Sequence, residues 1–152
     1  MYEYQPLTTP TSMRLVALQP GAKGDELRCD LIDANLSTNP VYEGVSYVWG
    51  DERNQDKIIC DGKEINITNN LAAVLTQFRP TETSSEPRIL WADSICINQQ
   101  DIPELNHQVR LMCDIYQRAS AVLIWLGNKD DGEDTAKAWE CMDTLLKRVW
   151  PR

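Results

Sequence analysis

The chain has no apolar run long enough to cross a bilayer, no charged leader followed by an apolar stretch at its N-terminus, and no basic stripe. The first two absences point to a cytoplasmic protein with no membrane span. The third argues against nucleic acid as a partner, because affinity for a phosphate backbone comes mainly from clustered Lys and Arg that release counterions. Here 15 Lys and Arg stand against 23 Asp and Glu, for a net charge of −8. Paired cysteines are missing too: the five cysteines (Cys29, Cys60, Cys96, Cys113 and Cys141) are odd in number, widely spaced and contain no CxxC. That pattern leaves neither a disulfide framework nor a zinc site, so reduced, mostly buried thiols and no metal are expected. No GxSxG, P-loop, GxGxxG or HExxH occurs. Histidine is present once, at His107. A Cys–His nucleophile would need the fold to bring Cys96 to it, and a surface imidazole with a core thiol is the plainer reading.

What is there is ordinary for one globular domain: 152 residues, 42% apolar and 25% charged. Residues 1–12, rich in proline and threonine, read as an extended arm. Met13 to Leu18 and Glu26 to Ile32 read as antiparallel strands around a Pro20-Gly21 turn. Val45 to Trp49 is a further strand ending in Gly50-Asp51, and Lys57 to Cys60 with Lys63 to Ile67 flank Asp61-Gly62, a two-residue hairpin signal. A helix follows, capped by Thr68 or Asn69, with Leu71, Val74, Leu75 and Phe78 on one face before Pro80 stops it.

The segment from Leu90 to Asp101 is the most informative, because an apolar strand runs into a polar loop and then into a helix start. Asp101 as N-cap, Pro103 in the first turn and Glu104 three residues on open that helix. Leu105, Val109, Met112, Tyr116 and Ala119 make its apolar stripe. Arg88 to Ala92 before it and Ala121 to Leu126 after it are nearly continuous in apolar residues, as strands buried on both faces must be. The unit is therefore a βαβ crossover with parallel strands. Their carboxyl ends, Asp93 onward and Gly127 onward, open on one edge, where open α/β sheets bind ligands. Asp51 joins that edge if Val45 to Trp49 is parallel to them.

On this reading Asp93 is the leading candidate carboxylate, held rigidly at a strand end, with a turn or capping acid as its plain alternative. Trp49, Asp51 and Asn98 are candidate ligand contacts. Glu104 faces the same edge as a candidate acid, although closing a capping box explains it equally. The acidic stretch Asp130 to Asp134 is no calcium loop, since Gly132 at the sixth position would put Lys129 at the third and Ala138 at the twelfth. A last amphipathic helix carries Ala138, Met142, Leu145 and Leu146, and the ending Trp150-Pro151-Arg152 suggests the N-terminal part of a longer protein.

Three blocks carry a family resemblance: Val45-Ser46-Tyr47-Val48-Trp49-Gly50-Asp51; Leu90 to Gln99; and Gln108 to Met112 with Ile115-Tyr116, followed by Val122 to Gly127. In order and spacing the chain resembles the heterokaryon incompatibility (HET) domain of filamentous fungi, from about Tyr2 to Gly127. It departs at Ala92, where the family usually has isoleucine. The resemblance implies a single domain over 1–152 that acts as a cell-death effector in vegetative incompatibility, through self-association or a receptor-like protein partner. It also implies a distant likeness to TIR domains, and with it an α/β fold: a mostly parallel central sheet with flanking helices, flavodoxin-like, plus the N-terminal antiparallel strands and the hairpin. Some TIR domains hydrolyse NAD at a glutamate four residues after a tryptophan. The matching tryptophan would be Trp139, with Asp143 four later and Glu140 between, so the acid is one methylene short. Two functions follow: an NAD nucleosidase with a nucleotide ligand and no resident cofactor, or a non-catalytic oligomerising module.

Overall fold

Residues 2–53 and 55–127 are described by a computed structural model. They form strands β1 (Ser12–Leu18), β2 (Arg28–Asn35), β3 (Glu43–Tyr47), β4 (Gln55–Cys60), β5 (Lys63–Thr68), β6 (Arg88–Trp91) and β7 (Ala121–Trp125), and helices α1 (Asn69–Phe78), α2 (Asp93–Cys96) and α3 (Ile102–Arg118). The strands make one seven-stranded sheet in the order β5-β4-β2-β1-β6-β3-β7. The α/β class holds, and the strands and helices predicted between Met13 and Leu126 are present. The predicted last helix, with Ala138, Met142, Leu145 and Leu146, lies outside the described residues. The expectation of a mostly parallel sheet does not hold. Among the described residues three of the six pairings are parallel: β2 with β4, and β3 with both β6 and β7. The other three are antiparallel: β1 with β2, β1 with β6, and β4 with β5.

The physical reason lies in β1. Read from sequence as one of the N-terminal antiparallel strands added to a parallel sheet, it sits at the centre of the sheet, antiparallel to both neighbours and buried at all seven positions. A strand covered on both faces reads as a near-continuous apolar run whichever way its neighbours point. Met13, Leu15, Val16 and Leu18 carry that run and join one core with Ile58, Leu71, Leu75, Leu90 and Ile95.

The βαβ unit is as predicted in direction, with β3 inserted between its strands. Asp101 caps α3, accepting the Glu104 backbone N–H at 3.1 Å, and Pro103 fits the first turn, where its missing N–H costs nothing. Thr68 caps α1 through the Leu71 N–H. The hairpin turns at Asp61-Gly62 with both residues at positive φ, the type I′ signature. In contrast to the expectation of a strand buried on both faces, β7 pairs only with β3 among the described residues, and its Val122 and Ile124 are exposed. Among the described residues this apolar strand has no second neighbour. Among the described residues no helix is long and apolar enough to cross a membrane.

The crossover packs closely on β3. A Cβ added at Gly44 would meet Tyr116 Cδ1 at 2.9 Å, and that ring cannot swing away because its hydroxyl donates to the Val45 carbonyl at 3.0 Å. Gly44→Ala is therefore expected to destabilise the fold by about 1–3 kcal/mol, the usual range for overpacking. Urea unfolding checks this, and an unchanged midpoint would refute the close approach.

Candidate functional site

The parallel strands β3 and β6 end side by side, and the residues just beyond them meet. Trp49 donates its indole N–H to both Asp93 carboxylate oxygens, at 3.1 and 3.0 Å. Asp93 also accepts the Ser94 backbone N–H at 2.8 Å, and the Ser94 hydroxyl hydrogen-bonds the Tyr47 phenol. The strand-end reasoning thus located Trp49 and Asp93 together, while Tyr47 and Ser94 were missed. Tyr47 was legible as the residue two before Trp49, on the same face of an extended segment.

Burial is the main influence on the Asp93 carboxyl and pushes its pKa up, against the opposing hydrogen bonds from Trp49, Ser94 and Tyr47. Burial likewise raises the Tyr47 phenol. Cys96 is fully buried, and its thiol is pushed up to about 12, which removes it as a nucleophile at neutral pH. His107 bonds the Pro10 carbonyl at 2.6 Å and so ties down the N-terminal arm. Cys29, Cys60 and Cys96 are free and buried, and Cys113 is free and exposed.

Glu104 has a different role from the one its position suggested. Its two oxygens take a forked ion pair from Arg14 on β1, at 2.6 and 3.0 Å, with Arg14 2% and Glu104 9% exposed. One oxygen also accepts the Asn98 backbone N–H at 2.8 Å. Desolvation raises the Glu104 pKa, but the Arg14 hydrogen bonds and the Asn98 N–H outweigh it and hold the carboxyl below its usual range. Arg14 further donates to the Cys96 carbonyl at 3.1 Å and the Gln5 carbonyl at 2.6 Å, and its guanidinium lies 5.0 Å from the centre of the Tyr4 ring. A charged residue in the middle of an apolar strand was the available signal, since a buried guanidinium demands a partner.

Beside this network a cavity of about 610 Å³ opens, within the size range of ligand sites, about 300–1,000 Å³. Its walls are the arm at Tyr2 and Tyr4, the loop after β3 at Trp49 and Glu52, strand β5 from Glu64, and the amide run Asn98-Gln99-Gln100 with Ser94. Asp93 lies behind Trp49 and Ser94 and is absent from the wall, as is Glu104. Asn98 is in the wall as expected. Asp51 is not: it is exposed on the loop and paired with Arg53 at 2.7 Å, whose hydrogen bonds hold the carboxyl below its usual range. Glu140 and Asp143 lie outside the described residues. Among the described residues no group of three or more His, Cys, Asp or Glu is placed to hold a metal ion.

A mixed α/β sheet with an aromatic- and amide-lined cavity beside its parallel strand ends defines the class: an α/β domain with a candidate site at a strand-end edge. The chain belongs to the heterokaryon incompatibility (HET) family, whose profile, described as heterokaryon incompatibility protein (HET), matches residues 42–150. Over 138 residues it is 38% identical to heterokaryon incompatibility protein 6, OR allele, of Neurospora crassa, a match that covers 83% of this chain and 20% of that protein. The chain therefore spans about a fifth of the length of that curated relative. No solved structure gives a significant match. The family match begins at Tyr42, yet β1 and β2 supply the centre of the sheet and the arginine that anchors Glu104.

Two stability predictions follow from the charges. Arg14→Ala strands the Glu104 carboxylate in a dry site and is expected to cost about 3–5 kcal/mol in urea unfolding, with Arg14→Met combined with Glu104→Leu recovering part of the loss. A loss no larger than for an exposed arginine would refute it. Because the folded-state pKa of Asp93 lies above its unfolded value, the folded state holds that proton more tightly, and stability falls as pH rises from the usual carboxylate range through the raised value. Asp93→Asn is expected to remove this contribution and to be at least as stable near neutral pH. A large loss of stability in that variant would show that the ionised carboxylate stabilises the fold.

Proposed function

We propose that this chain is a signalling domain of fungal vegetative incompatibility that promotes cell death after non-self recognition, and that it acts by holding a small ligand at the Trp49 cavity without hydrolysing it. Family membership and the name of its Neurospora relative support the first part. The cavity carries the second. It offers an aromatic platform and a row of amides, while the two best-anchored carboxylates, Asp93 and Glu104, are already engaged by Trp49, Ser94, Arg14 and Asn98. Cleaving a glycosidic bond such as the nicotinamide–ribose bond of NAD calls for a carboxylate aimed at the substrate. Among the described residues the acids that do line the cavity, Glu52 and Glu64, are exposed, and Glu64 has only a surface pairing with Lys57. NAD is the substrate with which to test the hydrolytic alternative. The exposed edge of β7, with Val122 and Ile124, supports passing the signal by self-association or to a receptor-like partner protein.

Producing the chain in a fungal host is expected to arrest growth, and Trp49→Leu is expected to relieve the arrest while leaving protein level unchanged. At high protein concentration with NAD, no nicotinamide release beyond background is expected from the active chain. Release over many turnovers that Asp93→Asn abolishes in a folded protein would contradict the binding reading and favour hydrolysis. Growth arrest undiminished in Trp49→Leu would remove the cavity from the account.

A further inference from the structure

The charge and aromatic content of the cavity restrict what it can hold. Three aromatic side chains (Tyr2, Tyr4 and Trp49) and two carboxylates (Glu52 and Glu64) line it, and among the described residues no lysine or arginine does. An anionic ligand would therefore leave water for a wall that carries carboxylates and no lining cation, in a chain that is already at −8. A cation meets the reverse: ring faces that attract positive charge and carboxylates that complement it.

The rings are arranged for that use. Tyr2 and Tyr4 pack edge to face, 80° apart with centres separated by 5.1 Å, and so brace one another in the wall. Tyr4 has the Arg14 guanidinium over its ring at 5.0 Å, so its face is taken and Trp49 is the ring left to receive a ligand. Trp49, the strongest of the three rings for such contacts, has its plane fixed by the bonds from its indole N–H to Asp93. Donation to a carboxylate also shifts electron density into the indole, which strengthens its attraction for a cation. Asp93 is thus a positioning residue that acts through Trp49. Glu64 is paired with Lys57 at 2.9 Å, but both side chains are more than half exposed, and a screened surface pair contributes little, so the acid stays available to a ligand.

We propose that this cavity is a receptor site for a small organic cation, one whose charge rests on a nitrogen with alkyl or aromatic substituents, with Trp49 as the platform and Glu52 and Glu64 as the countercharge. Such a cation is only weakly hydrated compared with ammonium, so it loses little on leaving water for a ring face. The amides of Asn98, Gln99 and Gln100 then read the polar remainder of the molecule.

The inference rests on the Trp49 cavity being the ligand site, and calorimetric titration of the whole chain separates the two claims. The probes are choline, its uncharged isostere with a tert-butyl group in place of trimethylammonium, N-methylpyridinium, and inorganic pyrophosphate. At least one of the two cations is expected to bind saturably, and choline about tenfold more tightly than its isostere if the trimethylammonium group is the better fit. Glu52→Gln with Glu64→Gln, at exposed positions that the fold does not need, is expected to weaken the cation severalfold and leave the neutral probe unchanged. Asp93→Asn is expected to weaken the cation alone, which a purely structural role would not do. Equal or tighter binding of the isostere or of pyrophosphate would overturn the proposal while leaving the cavity as a ligand site. Binding of no probe, or cation binding unchanged in Trp49→Leu, would overturn both.

Discussion

The forked ion pair between Arg14 and Glu104 is the constraint on which the rest of the structure depends. It joins the central strand of the sheet to the first turn of α3, and through the same two side chains it fixes the N-terminal arm and the segment from the end of α2 to α3. The Cys96 carbonyl, the Gln5 carbonyl and the Asn98 N–H all bond to this pair. The pair is nearly dry, so removing either partner leaves a buried charge that no neighbour can satisfy. The arm that carries Tyr2 and Tyr4 and the loop that carries Asn98 to Gln100 are consequently held against the same cavity by one guanidinium and one carboxylate. Tyr4 adds its own bond to the Ile95 carbonyl at 2.9 Å.

A second anchor completes the site from the opposite direction. Trp49 reaches back from beyond β3 to Asp93 beyond β6, a contact that exists because these strands are parallel neighbours and end together. The ionised carboxylate is poorly solvated there, which makes the contact costly for the fold and useful mainly for what it does to the tryptophan. Two acids that look alike in the sequence therefore have opposite characters. Glu104 is stabilised by a cation and serves architecture, whereas Asp93 is destabilised by burial and orients a ring.

Much of this was legible in the sequence, and the boundary between what was and what was not is physical. The α1 and α3 caps, the Asp61-Gly62 hairpin and the β6–α3–β7 crossover depend on residues within a few positions of one another, and all were found. The meeting of Trp49 with Asp93 was reachable because the crossover argument places strand ends on one edge. The direction of β1 was not, since a strand buried on both faces carries no alternation to mark its neighbours. Nor was the partner of Glu104, because Arg14 lies 90 residues away and a capping role explained the acid locally. The contribution of β5 and the arm to the cavity is of the same kind: nothing local in Glu64 or Tyr2 indicates that they share a wall.

Family membership places the chain among heterokaryon incompatibility proteins, and the central proposal is that the domain responds to a ligand seated on Trp49. The indole N–H signal of Trp49 in a two-dimensional NMR titration with choline tests this most directly, because that proton sits between the ring and Asp93. The account predicts a saturable shift of that signal, accompanied by the backbone N–H groups of Asn98, Gln99 and Gln100, and reached only at severalfold higher choline in Glu52→Gln with Glu64→Gln. Shifts confined to other tryptophans, or none at all, would contradict it.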